Sequence, residues 1–288
     1  MKLTVLGLAA IVAALPQQIF RSGVNTVEIY ATVVDRDGRH VPDLTKDDFQ
    51  IYDDTKPVKV DVFAAGTQPI TMALMVDESP SVSRVADRIE SAVKEFSKHF
   101  LPGDRATIGA FSHIVRLDPK LSEKPGDLIS MVLGGRPRFP SGTALWDAVD
   151  DARNALKGES GRRVVLLLTD ADENCSLSDP GEVALRIERE GTMVYAIGVR
   201  GNTGLPARDL QRLSRLSGGY YFELRRDDDL TSTLARVADE LHRQYVIGFS
   251  PATLDGQRHV LAVTSKRPGL TIRARQTYIA APAGGVGQ

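Results

Sequence analysis

The sequence predicts an α/β domain, a doubly wound and mostly parallel sheet covered on both faces by helices, inserted into a small all-β sandwich. Two observations carry this prediction. Between residues 68 and 243, short continuous apolar runs alternate with amphipathic helical patterns. On either side, in residues 22–67 and 244–280, apolar and polar side chains alternate with a period of two, which is typical of half-buried strands.

The two flanks are expected to pair with each other. In the first flank, apolar side chains recur at Val27, Ile29, Ala31 and Val33, residues 45–48 carry a helix-start signal with an Asp in the usual Glu position, and further strands are predicted at 49–52 and 58–62. In the second flank, strands are predicted at 245–249, 260–264 and 270–274. Neither flank has enough strands for a core of its own.

The central region contains five predicted buried strands, at residues 70–76, 106–111, 164–168, 193–199 and 220–224. Apolar stripes predict helices around Ile89 and Val93 and from Leu145 to Leu156. A last helix is predicted at residues 230–242, where preceding aspartates suit the positive end of the helix dipole.

The two ends of the chain have a different character. A lysine followed by the apolar residues 3–15 is typical of a secretion signal, assigned to residues 1–21 with an approximate end. We therefore expect a periplasmic or secreted protein; the alternative is an uncleaved membrane anchor. Residues 281–288, rich in Gly and small side chains, predict a loose tail.

Composition excludes some classes of function. Lys and Arg number 36 against 37 acidic residues, which argues against a nucleic-acid partner. Cys175 is the single cysteine, so an intrachain disulfide is impossible. No zinc-helix histidine spacing, nucleophile elbow, phosphate-binding loop or dinucleotide fingerprint occurs, and we predict that the protein is not an enzyme. A phosphatase of the haloacid dehalogenase type would need a second acid where Ser79 stands.

Oxygen-bearing side chains follow two of the predicted strands and precede one helix. Asp77, Ser79 and Ser81 form an Asp-x-Ser-x-Ser motif directly after the first central strand. Thr143 opens a helical pattern, and Asp170 closes another apolar run. Hydroxyl and carboxylate oxygens with room for water are the ligands that Mg²⁺ prefers. The sequence therefore predicts a site for Mg²⁺, with Ca²⁺ or Mn²⁺ as alternatives, at one edge of the sheet.

The charge of this ligand set indicates how the site would work. Only two of the five ligands are acidic, so the bound ion keeps positive charge and can accept a carboxylate from another molecule. Three neighbouring acids, Glu78, Asp172 and Glu173, complicate this interpretation, because they could repel an acidic partner or favour calcium. Read singly, the motif around Asp77 could also be an ordinary loop cap and helix start.

These residues resemble the von Willebrand factor type A domain, whose metal-ion-dependent adhesion site uses Asp-x-Ser-x-Ser, a threonine and an aspartate on three loops. The matching positions are Asp77, Ser79, Ser81, Thr143 and Asp170. One departure is Ala171, where a glycine commonly follows the third-loop aspartate. The stretches at residues 33–38, 44–49, 244–249 and 267–270 extend the resemblance over nearly the whole mature chain, to exported bacterial proteins related to this family that are common in acidobacteria.

The resemblance implies a Rossmann-like domain and an adhesion-type function. On this reading the protein captures, through its metal ion, an Asp or Glu of a protein partner. The alternative is an envelope scaffold or assembly protein that binds through its β-sandwich, with a structural or vestigial metal site. Contact with a membrane is expected only if residues 1–21 are not cleaved.

Overall fold

The computed structural model of the protein describes residues 26–124, 142–199, 208–224 and 229–281. The predicted signal segment and residues 282–288 of the predicted tail lie outside these ranges. Within them, no helix combines the length and the apolar character needed to cross a membrane.

A six-stranded sheet forms the centre of the α/β domain, in the order β10-β9-β8-β5-β6-β7. All neighbouring strands are parallel except β7, which pairs antiparallel with β6 at the edge. Every residue of β5 is buried, as expected for a central strand covered on both faces. The strands are β5 Ile70–Asp77, β6 Arg105–Phe111, β7 Val115–Leu117, β8 Arg162–Thr169, β9 Met193–Gly198 and β10 Tyr221–Glu223.

Helices cover both faces of this sheet. They are α1 Ala86–Phe96, α2 Leu145–Ala155, α3 Pro180–Glu190, α4 Arg208–Ser217 and α5 Leu230–His242. The apolar sides of α1 and α5 pack into one core, and those of α2, α3 and α4 pack into a second core on the opposite face. The doubly wound α/β prediction is therefore confirmed.

Eight strands build the β-sandwich as two antiparallel sheets of four, in the orders β13-β1-β11-β4 and β14-β12-β2-β3. Each sheet takes strands from both flanks, so the expected pairing of the flanks is confirmed; Ile29 lies opposite Ile247 and Ile51 opposite Val263. The strands are β1 Val27–Val34, β2 Phe49–Asp53, β3 Lys56–Val58, β4 Val62–Ala64, β11 Tyr245–Phe249, β12 Arg258–Ser265, β13 Thr271–Arg273 and β14 Thr277–Ile279.

Helix α5 is hydrogen-bonded to the sandwich through the carboxylate of Glu240. This carboxylate accepts hydrogen bonds from Thr32 Oγ1 at 3.2 Å, from Tyr195 at 2.7 Å and from Arg273 at 2.6 Å. The amide of Gln244 donates to Thr32 and to Tyr195, at 3.0 and 3.1 Å. Thr32 and Arg273 belong to the sandwich and Tyr195 to β9, so this polar network joins the α/β domain to the sandwich.

Asp104 fixes the end of the central sheet at which β5 begins. Its buried carboxylate accepts hydrogen bonds from the backbone N–H groups of Ile70 and Leu101, at 2.9 and 2.7 Å. His242 Nε2 at the end of α5 lies 2.7 Å from the same carboxylate. The start of β5 is thereby held in place, and its other end carries the oxygen-bearing loops.

Candidate metal site

Four of the five predicted ligands lie at or just after the carboxyl ends of β5 and β8, which are neighbours in the sheet, and Thr143 lies in the loop before α2. From β5 the chain continues to β6 on one side, whereas β8 lies on the other side. In open α/β sheets, ligands bind where the strand order reverses in this way. Asp77 ends β5 and Asp170 follows β8 directly, so two of the three loops start from this point.

Asp77 is buried, with 2% of its surface exposed. Its Oδ1 accepts a hydrogen bond from the Ser79 N–H at 2.8 Å, and its Oδ2 accepts one from the Thr169 hydroxyl at 2.6 Å. Burial raises the pKa of Asp77 to about 6; the hydrogen bonds from Ser79 and Thr169 oppose the rise, and the nearby Asp170 carboxylate adds to it. A cation beside the two carboxylates would favour their ionised forms.

The two serines of the motif present their hydroxyls together. Ser79 Oγ and Ser81 Oγ are 2.9 Å apart, and Ser79 is buried. A 3-10 turn, Pro80–Val85, carries Ser81 and leads into α1. The motif therefore begins the turn that leads into α1, as the alternative of a loop cap and helix start expects. It also gathers three oxygen-bearing side chains at the end of β5.

Thr143 lies in a loop that is docked against the loop after β8. Its N–H donates to the side-chain carbonyl of Asn174 at 3.0 Å, and its own carbonyl accepts from the Asn174 N–H at 3.2 Å. The next residue, Ala144, donates its N–H to the Ser112 carbonyl after β6. Thr143 is 2% exposed. The preceding Ser141 lies outside the described residues.

Asp170 brings an acceptor that is not satisfied within the described residues. Its Oδ1 accepts a hydrogen bond from the Asp172 N–H at 3.3 Å, whereas its Oδ2 is buried and has no hydrogen-bond partner there. A buried carboxylate oxygen without a donor is costly unless a cation or water satisfies it. Of the predicted ligand atoms, this oxygen gives the most direct support for a bound metal ion.

Two of the three neighbouring acids already have partners. Glu78 forms an ion pair with Arg116 of β7. Glu173 caps α2: its carboxylate accepts from the N–H of Leu145 at 2.6 Å and from the N–H and hydroxyl of Ser176 at 2.8 and 2.6 Å. Arg116 lies 38 residues from Glu78 and Leu145 lies 28 residues from Glu173, so the spacing of the acids alone could not have revealed either role.

The donor set fits a hard divalent cation. All five side chains offer oxygen. Because Glu78 and Glu173 are engaged by other groups, only two carboxylates face a divalent ion, and they bring no excess negative charge. The ligand assignment of Asp77, Ser79, Ser81, Thr143 and Asp170 stays a prediction, which the burial of Asp77 and the unpartnered Asp170 oxygen support.

Comparison with known proteins bears on the α/β domain as a whole. A family model described as von Willebrand factor type A domain matches residues 72–236, more than half of the 288-residue chain. No curated protein matches the chain.

Three solved structures are similar in fold. A von Willebrand factor type A protein from Catenulispora acidiphila has a TM-score of 0.52 at 13% identity, with 92% of this chain and 76% of that chain covered. Proximal thread matrix protein 1 from the mussel byssus has a TM-score of 0.51 at 20% identity, covering 62% and 49%. An aerotolerance-related membrane protein from Bacteroides fragilis has a TM-score of 0.50 at 13% identity, covering 60% and 98%. At these identities the likeness concerns the fold alone.

Proposed function

Because the chain belongs to the von Willebrand factor type A domain family, whose members are protein-interaction modules, we propose that it is an exported, cation-dependent binding module. The bound ion, Mg²⁺ in the first instance, takes an Asp or Glu carboxylate of a protein partner as a further ligand. The observation that carries the proposal is the buried Oδ2 of Asp170, which has no hydrogen-bond partner among the described residues and lies near the buried Asp77.

The charge around the site supports an open coordination position. A structural ion is normally satisfied by its own protein, whereas neutral hydroxyls and water leave the metal able to bind a carboxylate. Glu78 is neutralised by Arg116, and Glu173 is engaged at the helix terminus of α2. Within the described residues, Asp172 is the one neighbouring acid whose carboxylate has no hydrogen-bond or ion-pair partner, so repulsion of an acidic partner is weaker than the sequence suggests.

The proposal assigns binding and no catalysed reaction. Both carboxylate oxygens of Asp77 accept hydrogen bonds from Ser79 and Thr169, which holds the side chain in place as a ligand and not as a nucleophile. We also propose that the protein is exported, because the charged and apolar pattern of residues 1–21 is typical of a secretion signal.

Calorimetric titration tests the metal site. Mg²⁺, Ca²⁺ and Mn²⁺ are titrated separately into the chelator-treated mature protein and into its Asp77→Ala variant. We expect saturable binding that Asp77→Ala abolishes without loss of the fold. Asp172→Asn is the matched control, since it removes one charge from the same group of loops outside the ligand set, and it should retain binding.

A second measurement tests the open position. Acetate serves as the carboxylate probe and acetamide as its neutral control, added to the Mn²⁺-loaded protein while the relaxation rate of water protons is followed. Acetate is expected to displace bound water and lower the relaxivity, and acetamide to leave it unchanged. Metal binding with no response to acetate would instead favour a structural ion, and a partner captured equally well by Asp77→Ala would favour the scaffold alternative.

A further inference from the structure

A second group of metal-ligating side chains lies in the β-sandwich, where β2 turns into β3. It consists of Asp53, Asp54 and His259, and one ligand atom from each lies within 4.8 Å of the other two. None of these residues belongs to the site at the end of β5. The mixed imidazole and carboxylate character distinguishes the group from the all-oxygen set there.

The fold holds both aspartates in place. Asp54 and Thr55 have φ angles of +46° and +73° and form the two-residue turn between β2 and β3, a hairpin geometry that favours Asp. Asp54 Oδ1 accepts the Val260 N–H at 2.9 Å, which leaves Oδ2 directed at His259 Nδ1, 2.7 Å away. Asp53 Oδ2 accepts the hydroxyl of Tyr278 at 3.0 Å.

One acceptor in this group has no donor. Asp53 Oδ1 is buried, has no hydrogen-bond partner within the described residues, and lies 3.8 Å from His259 Nδ1. His259 Nδ1 therefore faces two carboxylate oxygens, one from Asp53 and one from Asp54, yet it can donate a single proton. A cation at this point would bind His259 Nδ1 and both carboxylate oxygens at once, whereas a proton bridges only two of these atoms.

The surroundings of His259 suit a metal ligand. The residue is 8% exposed and its ring stacks on Tyr278, with centroids 5.1 Å apart. Its Nε2 lies 3.2 Å from Asp255 Oδ1. A ligating histidine usually donates its second ring N–H to a carboxylate, which leaves the other nitrogen free to bind metal. Asp255 is placed to do this.

We propose that Asp53, Asp54 and His259 bind a borderline divalent cation such as Zn²⁺, with Asp255 as a positioning residue behind the histidine. Tetrahedral Zn²⁺ holds its ligands about 3.3 Å apart, between the 2.7 and 3.8 Å that separate His259 Nδ1 from the two aspartate oxygens. Three protein ligands leave a fourth position for water. The side chain of Asp54 is 52% exposed, so the ion can enter from solvent.

The competing explanation is an ionic clamp. A protonated His259 donates to Asp54 and to Asp255, and no metal is involved. This arrangement accounts for both ring nitrogens but leaves Asp53 Oδ1 without a donor. The two explanations differ in one measurable respect, namely whether Zn²⁺ binds through His259.

The experiment is done in the Asp77→Ala background with excess Mg²⁺, so that the site at the end of β5 does not contribute. Zn²⁺ is titrated calorimetrically into the chelator-treated full mature chain. One Zn²⁺ is expected to bind, with affinity at least about tenfold lower in His259→Gln and in Asp53→Asn. Asp255→Asn should weaken binding about 10- to 100-fold, as removal of such partners does. His99→Gln, at an exposed histidine, is the matched control.

A spectroscopic measurement keeps the proposal decidable if a variant folds poorly. Long-range ¹H–¹⁵N spectra of the histidine rings report the state of each nitrogen, and Zn²⁺ should move the His259 Nδ1 resonance to the range of a metal-bound nitrogen. No Zn²⁺ binding, or binding that survives His259→Gln undiminished, would overturn the proposal in favour of the ionic clamp. Neither outcome bears on the Mg²⁺ site.

Discussion

Ala171 adopts a backbone conformation that L-residues rarely occupy, with φ at +57°. The turn lets its N–H donate to the Thr169 hydroxyl at 2.8 Å, which in turn donates to Asp77. A glycine would occupy the same conformation without the steric cost of a Cβ atom. Ala171, at a position where the family commonly has glycine, is therefore a point of local backbone strain next to the candidate metal site.

Replacing Ala171 with glycine is expected to stabilise the protein. Relief of the left-handed conformation contributes about 1–2 kcal/mol, and the extra freedom of glycine in the unfolded chain offsets about 0.5–1 kcal/mol of it. Urea denaturation should thus show a net gain of roughly 0.5–1 kcal/mol. Ala235→Gly in the middle of α5 is the control, which should lose about 0.5–1 kcal/mol. Destabilisation by Ala171→Gly would show that the alanine methyl group packs usefully.

Asp48 gives the sandwich a defined response to acid. The Thr45 N–H, at 2.7 Å, and then the Arg267 guanidinium, at 2.9 Å, lower the pKa of Asp48 from 3.8 to about 2. The folded pKa lies below the unfolded one, so the stabilisation is complete above about pH 4 and is lost as the pH falls toward 2.

Asp48→Asn should therefore lower the melting temperature at neutral pH, and its difference from the wild type should shrink as the pH is lowered from about 4 toward 2. Circular dichroism melts at several pH values measure this. Asp47→Asn, at the exposed neighbour, serves as control and should change the melting temperature little. A difference that stays constant over this range would contradict the pKa assignment.

At the scale of elements, Glu173 joins two loops of the candidate site. It lies on the loop after β8 and caps α2, which begins two residues after Thr143. Carboxylates at helix N-termini are stabilising because they accept the free N–H groups and oppose the helix dipole. The position of Thr143 relative to Asp170 therefore depends on Glu173.

Glu173→Ala is expected to cost about 1–2 kcal/mol of stability, since several N–H groups lose their acceptor. Mg²⁺ affinity should also fall, because the loop of Thr143 is then held against the loop of Asp170 by the hydrogen bonds with Asn174 alone. Denaturation and calorimetry measure the two effects. Glu182→Ala, in the first turn of α3, is the control and should leave Mg²⁺ affinity unchanged. Unchanged affinity in Glu173→Ala would separate the cap from the site.

Sequence patterns predicted the five parallel strands of the central sheet and the helices α1, α2 and α5, but they missed the helices α3 and α4 and the short edge strands. The stripe around Ile89 and Val93 and the apolar run before Asp77 appear as α1 and β5, because each is long enough to show its period. The edge strands β7 and β14, with three residues each, have no period to detect. Helix α3 was not predicted, although its cap Asp179, Pro180 and the C-terminal Gly191 with φ of +67° are recognisable signals.

At the scale of the whole molecule, the contacts that unite the two parts could not be read from the chain. Glu240 and Thr32 are 208 residues apart, and no local pattern pairs them. Arg162 of β8 is buried, and its guanidinium lies 4.8 Å from the ring centre of Tyr30 in the sandwich. The predicted domain borders at residues 67 and 243 separate residues that contact each other across this interface.

Residues 68–243 expressed alone are therefore expected to melt cooperatively but at a lower temperature than the full chain. All buried residues of the two cores on either side of the six-stranded sheet remain, whereas Arg162 and Glu240 lose Tyr30, Thr32 and Arg273. Calorimetric melts of both proteins test this. In addition, Glu240→Gln should cost more in the full chain than in the fragment. A fragment without a cooperative transition would show that the sandwich is required for folding.

The α/β domain is inserted between two segments that pair with each other, and this arrangement has a mechanical consequence. β1 before the insertion and β11 after it are directly hydrogen-bonded neighbours. If the chain is anchored on one side and pulled on the other, tension passes from segment to segment through the sandwich and largely bypasses the six-stranded sheet. The loops at the end of β5 would then carry little of this tension. A partner bound there would stay on an undistorted surface while the chain is under tension.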